Sequence, residues 1–263
     1  VAIRILAIGD VVGRPGRRFL RSRLPEVVAR EDVEFVIVNG ENAASGLGIT
    51  RALAKEIHAA GADVITTGDH VWRRQDVRQA LVADRHLLRP HNFPAGAPGA
   101  GVVVTKTRSG VPVRVVNLLG RIFMDPIDCP FACIERILAE SREPAITIVD
   151  MHAEATSEKG AMAWATDGRI TAVVGTHTHV QTADERILER GTAFISDVGM
   201  TGAVRSILGR KVEQVVEKFR SRVYVAMDVA DGEMQMGGAI ITVEPETGRA
   251  LDIQRVTERG FIE

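Results

Sequence analysis

The chain has 263 residues, 45% hydrophobic and 25% charged, a balance that excludes a disordered, collagen-like or low-complexity polymer and fits an ordinary folded body. Thirty-three Lys and Arg against 34 Asp and Glu leave a formal charge of −1, so bulk electrostatics supply none of the attraction that draws general nucleic-acid binders to polyanions. No run of about 18 apolar residues is present to span a membrane, and the first residues enter a strand-like pattern without the basic and apolar segments of a secretory leader. The cytoplasm is therefore the expected compartment.

Taken in chain order, short β-branched runs predict strands at 3–8, 35–38, 64–67, 111–119, 145–149, 170–174 and 193–196. Between them, apolar residues at helical spacing predict helices at 17–30, 51–60, 76–83, 131–140, 158–165 and 212–220. This alternation is the pattern of an α/β fold, with sheets covered by helices. The glycine- and proline-rich stretch 90–101 reads as a loop. Residues 223–229, 239–243 and 253–256 read as an antiparallel close, with Thr247 and Gly248 as a hairpin turn. No internal repeat or long linker divides the chain, so 1–263 is expected to form one domain. Cys129 and Cys133 make neither a disulfide framework nor a metal-knuckle spacing, and read as reduced cysteines on or near a helix.

The chemistry sits immediately after the apolar runs. RILAIGD ends in Asp10, FVIVNGEN in Glu41 and Asn42, and VITTGDH in Asp69 and His70. AITIVDMH delivers His152, TAVVGTHTH delivers His177 and His179, and AFISDVG delivers Asp197. In open α/β sheets ligands bind beyond the carboxyl ends of strands, so polar residues collected there point to one site. Carboxylates, an amide and imidazoles, with no thiolate among them, suit iron, manganese or zinc. There are too many donors for one tetrahedral ion. Two ions roughly 3.5–4 Å apart, sharing a carboxylate and holding a hydroxide between them, accommodate the set, and Glu41 is the candidate shared ligand. His177 and His179, two residues apart in an extended chain, place both imidazoles on one side. His58, in a helix, and His86, in a polar turn, are assigned mostly to solvent.

At these residues the chain resembles the calcineurin-like metallophosphoesterase superfamily, whose outline is GD, a second acidic strand end, GNH, a lone His and GH-x-H. GDVVGRPGR at 9–17, NGENAASGLGIT at 39–50, RPHNFPAG at 89–96, HAEATSEK at 152–159, GTHTHVQTAD at 175–184 and SDVGMTG at 196–202 resemble the bacterial YmdB family along nearly the whole chain. The resemblance implies a four-layer α/β/β/α sandwich and a dinuclear centre, usually of iron, with manganese or zinc as alternatives. It also implies phosphodiesterase activity toward 2′,3′-cyclic nucleotides. Carried over by position, one metal would be held by Asp10, Glu41, Asn42 and His179, and the other by Glu41, Asp69, His152 and His177. His70 would protonate the leaving alkoxide.

Two departures stand out. The D-x-H of the wider superfamily reads Asp10-Val11-Val12, with Asn42 filling the vacancy, as in this branch. The GNH motif reads Gly68-Asp69-His70, which adds a negative charge beside ions that act through positive charge. His91 replaces the usual alanine of RPANFP and is a candidate pocket residue. Arg14, with backbone N–H groups of the glycine-rich turn, is a candidate phosphate ligand; the plainer reading of Arg14, Arg17, Arg18, Arg21 and Arg23 is a solvated helix face. Asp197 is a candidate acceptor orienting a metal-binding histidine.

The leading expectation is a phosphodiesterase acting on a small cyclic nucleotide, since the balanced charge gives a polymer substrate no support. A phosphomonoesterase or nuclease using the same centre is an alternative. Another, implied by the resemblance, is a regulator of RNA turnover and biofilm formation that acts by binding an RNA-processing protein.

Overall fold

The computed structural model describes residues 1–140 and 146–262. The first part runs β1 (Ile3–Ile8), β2 (Asp10–Val11), α1 (Gly13–Arg30), β3 (Phe35–Asn39), α2 (Arg51–Ala59), β4 (Val64–Thr66), α3 (Val77–Ala83), β5 (Val102–Lys106), β6 (Pro112–Leu119) and α4 (Pro130–Glu140). It continues with β7 (Ile146–His152), α5 (Thr156–Ala165), β8 (Ala172–Thr176), β9 (Arg186–Ile187), β10 (Ala193–Ile195), β11 (Met200–Ala203), α6 (Val212–Ser221), β12 (Met234–Val243) and β13 (Ala250–Gly260). One sheet has the order β2-β11-β12-β1-β3-β4, with β13 also paired to β12; the other has the order β5-β6-β7-β8-β10-β9.

Period-two side-chain alternation makes the layers. Ile3, Ile5 and Ala7 of β1, with Phe35 and Ile37 of β3, face an apolar core shared with Val113, Val115, Ile148 and Val174 of the other sheet. Leu6, Ile8, Val36 and Val38 face the opposite way, onto Phe19, Leu20 and Leu24 of α1 and Ile57 of α2. Val116, Leu118, Val149 and Met151 turn outward onto Ile134 and Ile137 of α4 and Met162 of α5. Strands apolar on both faces are thus buried on both faces, and three cores separate four layers in the order α/β/β/α.

β1, β3 and β4 run parallel in one sheet, and β6, β7, β8 and β10 run parallel in the other. The loops beyond their carboxyl ends carry the residues of interest. Among the described residues, no helix is long and apolar enough to cross a membrane.

Several expectations shift. The strand expected at 170–174 forms as β8, two residues later, because His152 pairs with Thr176 at the far end of the ladder. Residue 145 of the strand expected at 145–149 lies outside the described residues, and the rest forms β7. The strand expected at 223–229 does not form. Val223 and Tyr224 are exposed with no sheet edge beside them, Met227 spends its carbonyl on Arg210, and only Val229 makes an isolated bridge, to Arg210. The hairpin forms at the expected place, with Gly248 at φ 71° and Glu244 N–H donating to the Arg249 carbonyl. Both cysteines are free; Cys129 precedes α4 and Cys133 is buried within it. His58 and His86 are half-buried instead of solvated, because His58 bridges the Ala62 carbonyl and Asp84 while His86 reaches Thr105.

Candidate metal centre

The two groups of parallel strands aim their carboxyl ends at one point. From the first sheet come Asp10 after β1, Glu41 and Asn42 after β3, and Asp69 and His70 after β4; the second brings His152 from the end of β7 and His177 and His179 from beyond β8. Asp10, Glu41 and His152 are fully buried.

One donor set gathers around Asn42, whose Nδ2 lies 3.1 Å from Asp10 Oδ1, 3.1 Å from Glu41 Oε1 and 3.2 Å from His179 Nε2. Turning that amide by half a rotation presents its oxygen to the same point. The second set gathers around His152, whose Nε2 lies 3.3 Å from Glu41 Oε1, 3.2 Å from Asp69 Oδ1 and 3.0 Å from His177 Nδ1. Ligand atoms from Glu41, Asp69, His152 and His177 all fall within 4.8 Å of one another. Glu41 touches both sets. His70 stands beside them, its Nδ1 3.0 Å from Asn42 Oδ1 and 3.3 Å from Glu41 Oε1, and its Nε2 3.5 Å from Asp69 Oδ2.

The electrostatics are those of a cation site. Burial alone would raise the Asp10 and Asp69 carboxyls, but the neighbouring imidazoles, His179 for Asp10 and His152 and His177 for Asp69, hold both well below the usual carboxylate range. Burial opposes charge on His152, yet Glu41 and Asp69 hold its pKa well above that of free imidazole. His70 and His179 are raised in the same way, against burial, by Glu41 and by Asp10 respectively. Among the described residues, the ion-pair partners of Asp10, Glu41 and Asp69 are all histidines. Buried carboxylates with no lysine or arginine paired to them among the described residues, and imidazole nitrogens aimed at the same point, fit divalent metal ions, which would take the place of the ring protons.

Gly68 is required by this packing. A Cβ there would lie 2.2 Å from the His152 ring and 2.4 Å from Glu41 Oε2.

The H-x-H segment differs from the extended chain expected of it. Residues 177–179 lie beyond β8, with His177 at φ 101° and His179 at φ 64°, left-handed values that cost an L-residue energy and persist only where surroundings impose them. The surroundings are visible. His177 N–H donates to Asp10 Oδ2, and Asp197 Oδ2 accepts from the Thr178 N–H, the Thr178 hydroxyl and Lys159 Nζ. Asp197 therefore grips the turn between the two histidines, not an imidazole, and its charge is matched by the fully buried Lys159.

Each imidazole has its own outer partner. His177 Nε2 faces Glu154 at 3.2 Å, His179 Nδ1 faces the Leu208 carbonyl at 3.2 Å, and His152 Nδ1 faces the Thr176 hydroxyl at 2.8 Å. That hydroxyl donates onward to Asp150 Oδ1 at 2.7 Å, and burial pushes the Asp150 carboxyl up to about 6. These bonds fix which ring nitrogen is free to bind a metal. Sequence reasoning missed Glu154, Thr176, Asp150 and Lys159. An aspartate inside the apolar run ITIVDMH was the available signal for Asp150; nothing local marks Lys159.

Among the described residues, Arg14 and His91 make no hydrogen bond or ion pair with the donor cluster. Arg14 is exposed in the first turn of α1, and the N–H groups of Val12 and Gly13 are spent on the Thr201 and Asn42 carbonyls. Arg17 does not face solvent alone, since it pairs with Glu56 and donates to the Ala43 carbonyl. His91 is half-buried near Arg89 and Arg136, with its pKa lowered by burial.

The profile of the YmdB-like protein family matches residues 6–256. The chain is 45% identical over 256 residues, 97% of its length and 96% of the relative's, to a Bacillus subtilis protein named 2′,3′-cyclic-nucleotide 2′-phosphodiesterase. Its fold superposes on a Thermus thermophilus crystal structure described as a hypothetical protein, at TM-score 0.91 and 39% identity, covering 98% of this chain and 99% of that one. A Mycoplasma pneumoniae structure described as a novel phosphatase superposes at TM-score 0.92 and 31% identity, covering 98% and 94%. With a family match along nearly all its length, and a metal-ligand cluster at the strand ends where the motifs fall, the chain belongs to the YmdB-like protein family.

Proposed function

We propose that the protein is a metal-dependent phosphodiesterase that opens 2′,3′-cyclic nucleoside monophosphates. The observation that carries the reading is the position of Glu41, one buried carboxylate in contact with both donor sets; the named activity of the Bacillus subtilis relative supports the substrate class. The reading takes two ions per chain, iron first, with manganese or zinc as alternatives that the thiol-free donor set also accepts. Asp10, Glu41, Asn42 and His179 would hold one ion and Glu41, Asp69, His152 and His177 the other. Such ions, when bound, polarise phosphoryl oxygens and acidify a water for attack.

The chain's own residues supply the rest. Asp10, Glu41 and His152 are shut off from bulk solvent, while Asp69 and His177 stay partly exposed on the side from which a substrate would approach. His70 reaches residues of both sets while a quarter of its side chain remains exposed, which supports the reading that its ring gives a proton to the ribose oxygen as the ester bond breaks. Asp197 and Lys159 hold the 177–179 turn so that both histidines keep facing inward.

Hydrolysis of 2′,3′-cyclic AMP by the purified protein loaded with Mn²⁺, abolished by a chelator and restored by the metal, is the expected result. No hydrolysis by loaded protein would overturn the reading. Asp69, where the family has Asn, adds a charge in contact with His152 and His177. Asp69→Asn is expected to weaken metal retention on the order of tenfold, because affinity follows ligand charge. Metal analysis after graded dialysis reads this directly, and unchanged retention would show that the extra charge does not act on the metal.

A further inference from the structure

A cavity of about 490 Å³ opens beside the metal centre, and His179 is part of its wall. The side-chain alternation of β12 shows how it arises. Ala239, Ile241 and Val243 pack between the sheets, and the same face runs on through Gly237 to Gln235, where the space between the sheets opens out into the cavity. Gln235 lies directly opposite Arg259 on β13, so their side chains emerge side by side on that face. Neither side chain has a hydrogen-bond or ion-pair partner among the described residues, although Gln235 is half-buried. The other walls combine apolar Met200, Ile207 and Leu208 with polar Gln181, Ser206 and Thr257. Leu208 is tied to the metal centre, since its carbonyl accepts from His179 Nδ1. A ligand whose phosphate sits at the donor cluster therefore has, across the His179 ring, a slot with partly apolar walls and, in Gln235 and Arg259, two bidentate polar groups without partners of their own among the described residues.

We propose that this cavity takes the nucleoside part of the cyclic nucleotide, and that Gln235 and Arg259 read the edge of a purine base. The inference rests on the cyclic-nucleotide reading above. An amide and a guanidinium each offer paired groups that match the N7 and 6-substituent edge of adenine or guanine, an edge that pyrimidines lack. The apolar part of the wall, Met200, Ile207 and Leu208, suits the face of a planar ring.

The test is kcat/KM of Mn²⁺-loaded wild type, Gln235→Ala, Arg259→Ala and the double variant on the 2′,3′-cyclic phosphates of adenosine, guanosine, cytidine and uridine. Wild type is expected to favour the purines by about tenfold or more, and the double variant to lose most of that preference, chiefly through a higher KM for the purines. A fold defect lowers all four rates together and leaves the ratio intact, so the ratio reports base contact alone. A purine preference unchanged in the double variant, or no preference in wild type, overturns the inference while the cyclic-nucleotide reading stands. If wild type cleaves bis(p-nitrophenyl) phosphate but none of the four cyclic nucleotides, both fall.

Discussion

Glu41→Gln is expected to lower kcat/KM for 2′,3′-cyclic AMP by at least about a thousandfold and to reduce metal content in both donor sets. The reason lies in its contacts. Glu41 Oε1 is 3.1 Å from the Asn42 amide and 3.3 Å from His152 Nε2, so the carboxylate belongs to both sets, and removing its charge leaves each with one fewer anion. Glutamine keeps the volume in a fully buried position, so packing is preserved. Kinetics on metal-loaded protein, with elemental analysis of the same sample, check both parts. Near-normal turnover in the variant would mean that the two sets do not act through a common ligand.

The second large effect is expected at His70. His70→Ala should lower kcat on 2′,3′-cyclic AMP by roughly 10²–10⁴, the range for losing a positioned proton donor, while metal content stays at the wild-type level because the ring stands beside the donor sets. Bis(p-nitrophenyl) phosphate, whose phenolate leaves without a proton, should lose far less. Equal losses on the two esters would assign His70 to positioning or metal retention instead of proton transfer.

The candidate ligands were legible because each follows an apolar run and so falls at the carboxyl end of a strand. Asp10, Glu41, Asn42, Asp69 and His152 needed only that rule. The layer arrangement was not readable from periodicity. Runs such as FVIVN and ITIVDMH are buried on both faces, and nothing in their spacing says that one belongs to the first sheet and the other to the second. The 177–179 segment shows a different limit. The spacing suggested an extended chain, but the strand ends at Thr176 and the histidines adopt left-handed backbone, held by Asp197 from beyond β10 and by Lys159 from within α5. Long-range partners of that kind leave no local pattern. The segment 223–229 failed for the opposite reason. Its β-branched and aromatic residues satisfy strand propensity, but propensity without an edge to pair against does not make a strand.

The surface loops gave least. Arg14 and His91 were singled out by their neighbours in sequence; one is an exposed first-turn arginine and the other a half-buried histidine near Arg89 and Arg136. Gln235 and Arg259, on strands that the sequence showed only in part, come together solely through the register of β12 and β13.

The central claim, two ions working through one shared carboxylate, is tested most directly by titrating metal-free protein with Mn²⁺ while following bound metal and 2′,3′-cyclic AMP turnover together. The account predicts little turnover up to one equivalent per chain and a rise as the second is taken up. Full turnover at one equivalent, or none with two bound, would contradict it.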